Sequence, residues 1–313
     1  MLSLLKKSTR HGPRAGVAID DRSVALAVVR RRTGQRPLVE HCGVHAPEGN
    51  ESLEQNLRRV VAKLDLSGAA MFAVAGTEDY QLVQVESPEV QPAELRAAIR
   101  WRLRDVINFH IDDAVIDVFE IPDQSRRSQA KMLFAVAARS AAVQRLVNAL
   151  APLASDFDVI DIPELCLRNV SALLPQDQKG VATLLLHRRF AQLILTRQGV
   201  LYQARRIEYG RGIDFDDGGD SPSVDPANLA LEIQRSLDYF ESHYDQTPIG
   251  DLILAPGDAA CRKLAAKLQS ETSLRIGLLN PKELFDGDCL QGELTADCLL
   301  ALGAALRVET TVL

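Results

Sequence analysis

The chain has 313 residues, 46% of them hydrophobic and 25% charged, enough apolar side chain to build a globular protein of two domain-sized parts. Its 36 Lys and Arg against 42 Asp and Glu leave a net charge of −6, which excludes a protein that draws its affinity from neutralising nucleic-acid phosphates. No run of about 18 apolar residues is present to cross a bilayer, and five cysteines without a C-x-x-C pair predict free thiols rather than a disulfide framework or a zinc site.

Residues 1–14, MLSLLKKSTRHGPR, form a basic leader whose apolar part is too short for a signal peptide. The expected reading is a disordered leader, with weak contact of Leu2, Leu4, Leu5, Lys6, Lys7, Arg10 and Arg14 with an anionic membrane surface as the alternative. RAGVAID, SVALAVVR and PLVEHCGV then read as three strands, joined by tight turns at Asp20-Asp21-Arg22 and Thr33-Gly34-Gln35. His41, Cys42 and His45 fall in the third strand, where no second cluster completes a metal site. Leu53, Leu57, Val60, Val61 and Leu64 have the spacing of an amphipathic helix, and AAMFAVAG at 69–76 is a further strand.

The stretch IRWRLRDVINFHIDDAVID at 99–117 is different in kind. A helix beginning near Glu94 places Leu95, Ala98, Ile99, Leu103 and Val106 on one stripe, which is expected to be buried. Trp101, the chain's one tryptophan, is turned away from that stripe. Arg96, Arg100 and Arg104 form a third line, whose mutual repulsion of a few tenths of a kcal/mol per pair calls for acids elsewhere. Two readings stay open here. Trp101 packs beneath the main body, or it borders a groove with the arginines where a partner segment docks, since Trp and Arg dominate such contacts.

The first order of elements then recurs. VATLLL, FAQLILT and VLYQARRI repeat the meander at 181–207, with His187-Arg188-Arg189 standing where Asp20-Asp21-Arg22 stood and Gly199 where Gly34 stood. A helix from Leu229 to Tyr244, a strand DLILA, another helix and a strand RIGLL complete the second copy, and Cys298 to Leu306 reads as a core helix. Asp216-Asp217-Gly218-Gly219-Asp220 lacks the alternating ligands of a calcium loop and reads as an acidic surface loop. Two β-β-β-α-β units in one chain describe a two-lobed α/β molecule with a cleft between its halves.

This order resembles the actin-like ATPase superfamily. Within it, Ala98-Ile99-Arg100-Trp101, the break from Ile107 to Asp112, the strand from Ala114 to Ile121, KMLFAVAARSAAVQRLVNAL, DVIDIPELCLRNV and the stretch Ala301 to Leu306 resemble the PilM and MshI proteins of type IV and MSHA-type pilus assembly. The resemblance implies an α/β, actin-like fold: two ribonuclease-H-like lobes, 15–86 with 139–177 and 178–313, and a small inserted α+β subdomain at 87–138. It implies a cytoplasmic adaptor, peripheral to the inner membrane, that docks the N-terminal cytoplasmic tail of a PilN-like bitopic protein among other platform components. Trp101, Arg100, Arg104 and Phe109 would be the partner-binding residues, with membrane contact indirect or through the basic leader.

A nucleotide in such a cleft needs hairpins whose backbone N–H groups reach phosphate, carboxylates for Mg²⁺, and a glycine pair against the adenosine. The resembling family's first hairpin reads roughly Asp-x-Gly-Ser-Ser-Ser, whereas this one reads Ala18-Ile19-Asp20-Asp21-Arg22-Ser23. The second hairpin lacks both Asp and Gly, and the glycine pair has become Pro256-Gly257. The expectation is a degenerate site, with Asp20, Asp21, Ser23, Arg188, Arg189 and Gly257 as its vestige, no catalytic or metal-ligating residue, and no ATP or Mg²⁺ required. On this reading the two hairpin turns are charge-complementary and face each other across an empty cleft. The alternative is an actin-like ATPase that binds and slowly hydrolyses ATP there. A sugar-kinase-like enzyme fits worse, because no Asp stands as a base beside a glycine-bearing hairpin.

Overall fold

Three sheets organise the computed structural model, which describes residues 12–20, 22–121, 131–153, 157–208, 225–244, 247–290 and 294–308. The first contains β1 (Arg14–Ile19), β2 (Val24–Arg30), β3 (Leu38–His45), β4 (Ala70–Val74) and β8 (Phe157–Asp161) in the order β3-β2-β1-β4-β8. The second contains β9 (Val181–Leu186), β10 (Phe190–Arg197), β11 (Val200–Glu208), β12 (Asp251–Ala255) and β13 (Arg275–Leu278) in the order β11-β10-β9-β12-β13. In both, an antiparallel meander of three strands is extended by two strands parallel to its first. The third sheet is antiparallel, with β5 (Tyr80–Glu86), β7 (Met132–Arg139) and β6 (Ala114–Glu120) in that order.

The duplicated strands form where the sequence is apolar on both faces. All six residues of β9 are buried, and so are all but the last of β10, which is the pattern of strands covered by helices on each side. The helices are α1 (Leu53–Lys63), α2 (Leu95–Leu103), α3 (Ser140–Leu150), α4 (Pro163–Ser171), α5 (Pro226–Tyr244), α6 (Ala259–Glu271), α7 (Pro281–Leu284) and α8 (Ala296–Ala305). A reciprocal capping box between Ser52 and Gln55 starts α1, whose Leu57, Val60 and Val61 are buried against the first sheet. No described helix is long and apolar enough to cross a membrane.

The structure departs from the expected domain boundaries in three places. β5 precedes the boundary at residue 87 yet is a strand of the inserted sheet, because its register runs from Tyr80 opposite Ala138 to Glu86 opposite Met132. α4, placed by sequence in the first lobe, packs on β9, β10 and β11 of the second. α8, placed in the second, packs back on β1, β2 and β4 of the first and lies against α4. Each half is thus closed by a helix from the other.

That exchange depends on two glycines. A Cβ on Gly16 would lie 1.8 Å from the Ala301 carbonyl oxygen, and one on Gly303 would lie 2.1 Å from the Cys166 carbonyl oxygen. Neither position tolerates a side chain without backbone movement. Polar bonds fix the same contact: Asn169 Nδ2 donates to Gly303 O at 2.9 Å, and Arg14 Nε donates to Ala305 O at 3.0 Å.

Candidate functional site

The first hairpin turn, between β1 and β2, is closed by its own carboxylate. Asp20 Oδ1 accepts from the backbone N–H of Arg22 and of Ser23, each at 2.6 Å, and from Ser23 Oγ at 3.2 Å. These are the kind of inward N–H donors that a phosphate-binding hairpin offers. An incoming anion would have to displace a carboxylate tethered beside them and meet its charge. Asp297, in the first turn of α8, stands in the same field: burial, then the Asp20 charge, raise its carboxyl above the usual range. Asp21 lies outside the described residues.

The second hairpin carries His187, Arg188 and Arg189. Arg188 and Arg189 are exposed, and among the described residues neither makes an ion pair. The Asp20 carboxylate is hydrogen-bonded within its own turn. His187 instead turns inward and stacks on Phe190, with ring centroids 4.3 Å apart. Burial lowers its imidazole to about 4, so it is neutral at physiological pH. Gly257 has φ +92°, and a Cβ there would lie 2.1 Å from Leu279 O. The glycine is therefore required by packing within its own lobe.

A cavity of about 310 Å³ opens where the two lobes and the insert meet. Its lining includes Thr77 and Glu78 of the first half, Tyr80, Asn108 and Phe109 of the insert, and Gln192 and Arg206 of the second half. Tyr80 Oη donates to Glu164 Oε2 at 2.6 Å, and burial pushes the Glu164 carboxyl up although bonds from Tyr80 and Gln192 hold it down. Arg206 bridges Glu78 at 2.7 Å and Glu208 at 2.5 Å, with its guanidinium 3.9 Å above Phe190. Arg139 lies 4.4 Å above Phe109 in the same way. The lining thus includes two aromatic rings, each covered by a guanidinium, and a half-buried acid. Sequence reading missed Tyr80, Glu164 and Arg206. The available signal was Glu164 itself, the one acid in the run IPELCL, directly after a helix-starting proline.

The partner-binding candidates separate. Ile99 and Leu103 are fully buried beneath α2, whereas Trp101 is 73% exposed. Trp101 has neither ring partner nor hydrogen bond among the described residues, which excludes the reading in which it packs beneath the main body. Acids relieve two of the three aligned arginines: Arg96 pairs with Asp117 and Arg100 with Asp112, both at 3.0 Å. Arg104 is exposed and has no ion pair among the described residues. Phe109 lines the cavity, which Trp101, Arg100 and Arg104 do not. Val106 does not belong to the buried stripe. α2 ends at Leu103, the N–H groups of Val106 and Ile107 both turn back to Leu103 O, and the tightened chain buries Ile107 and leaves Val106 52% exposed.

Five cysteines are free, and among the described residues no group of three or more His, Cys, Asp or Glu is placed to hold a metal ion. His41 and His45 stack on each other, with their Nε2 atoms 3.0 Å apart above Gly43. The acidic loop at 216–220 and residues 1–11 lie outside the described residues.

Two sheets of one strand order, closed by exchanged helices and carrying a small inserted sheet beside their cleft, are the actin-like fold. Among solved structures, a PilM–PilN type IV pilus biogenesis complex superposes with a TM-score of 0.66 at 18% identity, covering 95% of this chain and 98% of that one. The cytoplasmic domain of EpsL, an inner-membrane component of the type II secretion system of Vibrio cholerae, gives 0.51 at 13% identity, over 95% and 97%. The sequence matches no family model and no curated protein.

Proposed function

We propose that this chain is a platform protein of type IV pilus-like or type II secretion-like assembly, which docks a membrane partner's tail and has lost nucleotide chemistry. The adaptor works in the cytoplasm, peripheral to the inner membrane. It holds the N-terminal cytoplasmic segment of a PilN-like bitopic protein beside the inserted subdomain. The observation that carries this reading is Trp101, a large aromatic 73% exposed on the outer face of α2 in a fold like that of the PilM–PilN complex. Tryptophan and arginine dominate the energetics of partner contacts, and Trp101 stands on α2 beside Arg100. Loss of nucleotide chemistry is supported by the Asp20 carboxylate, which fills the hairpin donors that a phosphate would need. The sequence resemblance extends to the MshI proteins of MSHA-type pili as well as to PilM.

Titration of the partner's N-terminal peptide tests the docking site. Trp101→Ala, and separately Arg100→Glu with Arg104→Glu, should weaken the peptide at least tenfold while leaving the fold intact. Unchanged affinity in both variants would move the site away from α2, toward the cavity lined by Phe109.

A further inference from the structure

The inserted sheet is joined by chain to the first half and fastened by side chains to the second. Both of its faces are covered. On one, Val83, Leu133, Ala135 and Ala137 pack with Ile99 and Leu103 of α2. On the other, Ile121 and Phe134 share a core with Leu201, Tyr202 and Ile207 of β11 and Phe240 of α5. A polar side chain stands in the seam between this second face and the second half. Gln84 of β5 donates from Nε2 to Tyr202 O at 2.9 Å and to Tyr244 Oη at 3.1 Å. Its Oε1 accepts from Tyr239 Oη at 3.3 Å. Tyr244 Oη donates in turn to Tyr202 O at 3.0 Å. Both ends of the amide are thus engaged by residues of β11 and α5. The rest of the seam is weaker. Arg206 reaches across it to Glu78, but that pair is largely exposed and holds little. Beside the pair, the cavity of about 310 Å³ leaves insert and second half out of contact.

We infer that the insert is a brace across the cleft, latched to the second half by Gln84, and that releasing the latch frees the insert from that half. The two joints to the first half lie side by side. Asp79 leads into β5, β7 runs straight into α3 at Arg139, and Arg139 N–H donates to Asp79 O at 2.8 Å. An insert hinged at one such place swings as a unit when its far contact parts. Release exchanges the bonds of Gln84 and the tyrosines for bonds to water, so their net strength is modest and the seam opens before the whole fold does. In the latched state α2, on the outer side of the same sheet, is carried by both halves. The inference stands on the seam alone and needs no docked partner.

Amide hydrogen exchange on the full chain, without any peptide, is the test. Gln84→Met keeps the length of the side chain and removes its donors and its acceptor. The amides of β5, β6 and β7 should then exchange at least about tenfold faster, while those of β1, β2, β9 and β12 keep their wild-type rates. The radius of gyration from X-ray scattering should rise as the seam parts. Tyr239→Phe removes one bond of the same latch, so it should speed the insert by about twofold alone and add nothing in the Gln84→Met background. Should Gln84→Met fail to fold, Tyr239→Phe carries the comparison between the insert and the other two sheets. Unchanged exchange in the insert, a rise spread evenly over all three sheets, or additive effects of the two substitutions would overturn the inference.

Discussion

At the scale of single residues, one turn of α2 divides a buried position from an exposed one. Ile99 is wholly buried and Trp101, two positions on, is exposed. Ile99→Ala should therefore cost about 2–5 kcal/mol, the usual range for a core aliphatic, and Trp101→Ala less than about 0.5 kcal/mol. Urea unfolding of the two variants reads both. His187 gives a second prediction. Its pKa falls from 6.5 unfolded to about 4 folded, so between those values the unfolded chain binds more protons and stability rises with pH. The contribution is about 3 kcal/mol, complete above pH 6.5 and lost as pH falls through 4. His187→Phe keeps the stack on Phe190 and removes the titration. Its stability relative to wild type should improve by about that amount between pH 6.5 and 4, as measured by denaturant midpoints. An offset independent of pH would mean that the imidazole is not desolvated. The sequence made Trp101 legible through helical spacing alone. It misplaced Val106, because spacing does not report that α2 stops at Leu103.

At the scale of elements, the strands and the meander turns were legible because each is a local pattern: apolar runs bounded by Asp, Gly and Arg, repeated in the same order. The exchange of α4 and α8 was not. Both helices read as core elements by composition, but which sheet a buried helix covers is decided by contacts hundreds of residues apart. Gly16 and Gly303 carry that information, and a glycine in a strand or helix has no local pattern to betray a close backbone approach. Gly303→Ala should be severely destabilising, by about 3 kcal/mol or more, since the new methyl meets the Cys166 carbonyl and not a movable side chain. A comparison with Gly12→Ala, where nothing lies within 4 Å, separates this steric cost from the general effect of losing a glycine. Equal melting temperatures for the two variants would mean that α4 and α8 can part without penalty. The cavity beside the insert was illegible for the same reason, because Tyr80, Glu164 and Arg206 come from three separate segments.

At the scale of the whole molecule, the proposed function requires an actin-like frame whose insert docks a partner while its cleft holds no nucleotide. The Asp20 carboxylate occupies backbone donors of its own hairpin, and Arg188 and Arg189 point to solvent. The duplicated order of elements made the frame legible, and the altered hairpin residues made the loss of glycine and metal-side acid legible. How the altered residues rearrange was not, because Asp20 could as well have faced the arginines as closed its own turn. The measurement that tests this account most directly is calorimetry on the intact chain with two ligands in turn, Mg-ATP and the cytoplasmic N-terminal peptide of a PilN-like membrane protein from the same cell. The account predicts saturable binding of the peptide and no heat from Mg-ATP up to about 1 mM, a limit of roughly 4 kcal/mol of affinity. Micromolar Mg-ATP binding, with or without the peptide, would contradict it and return the cleft to the ATPases.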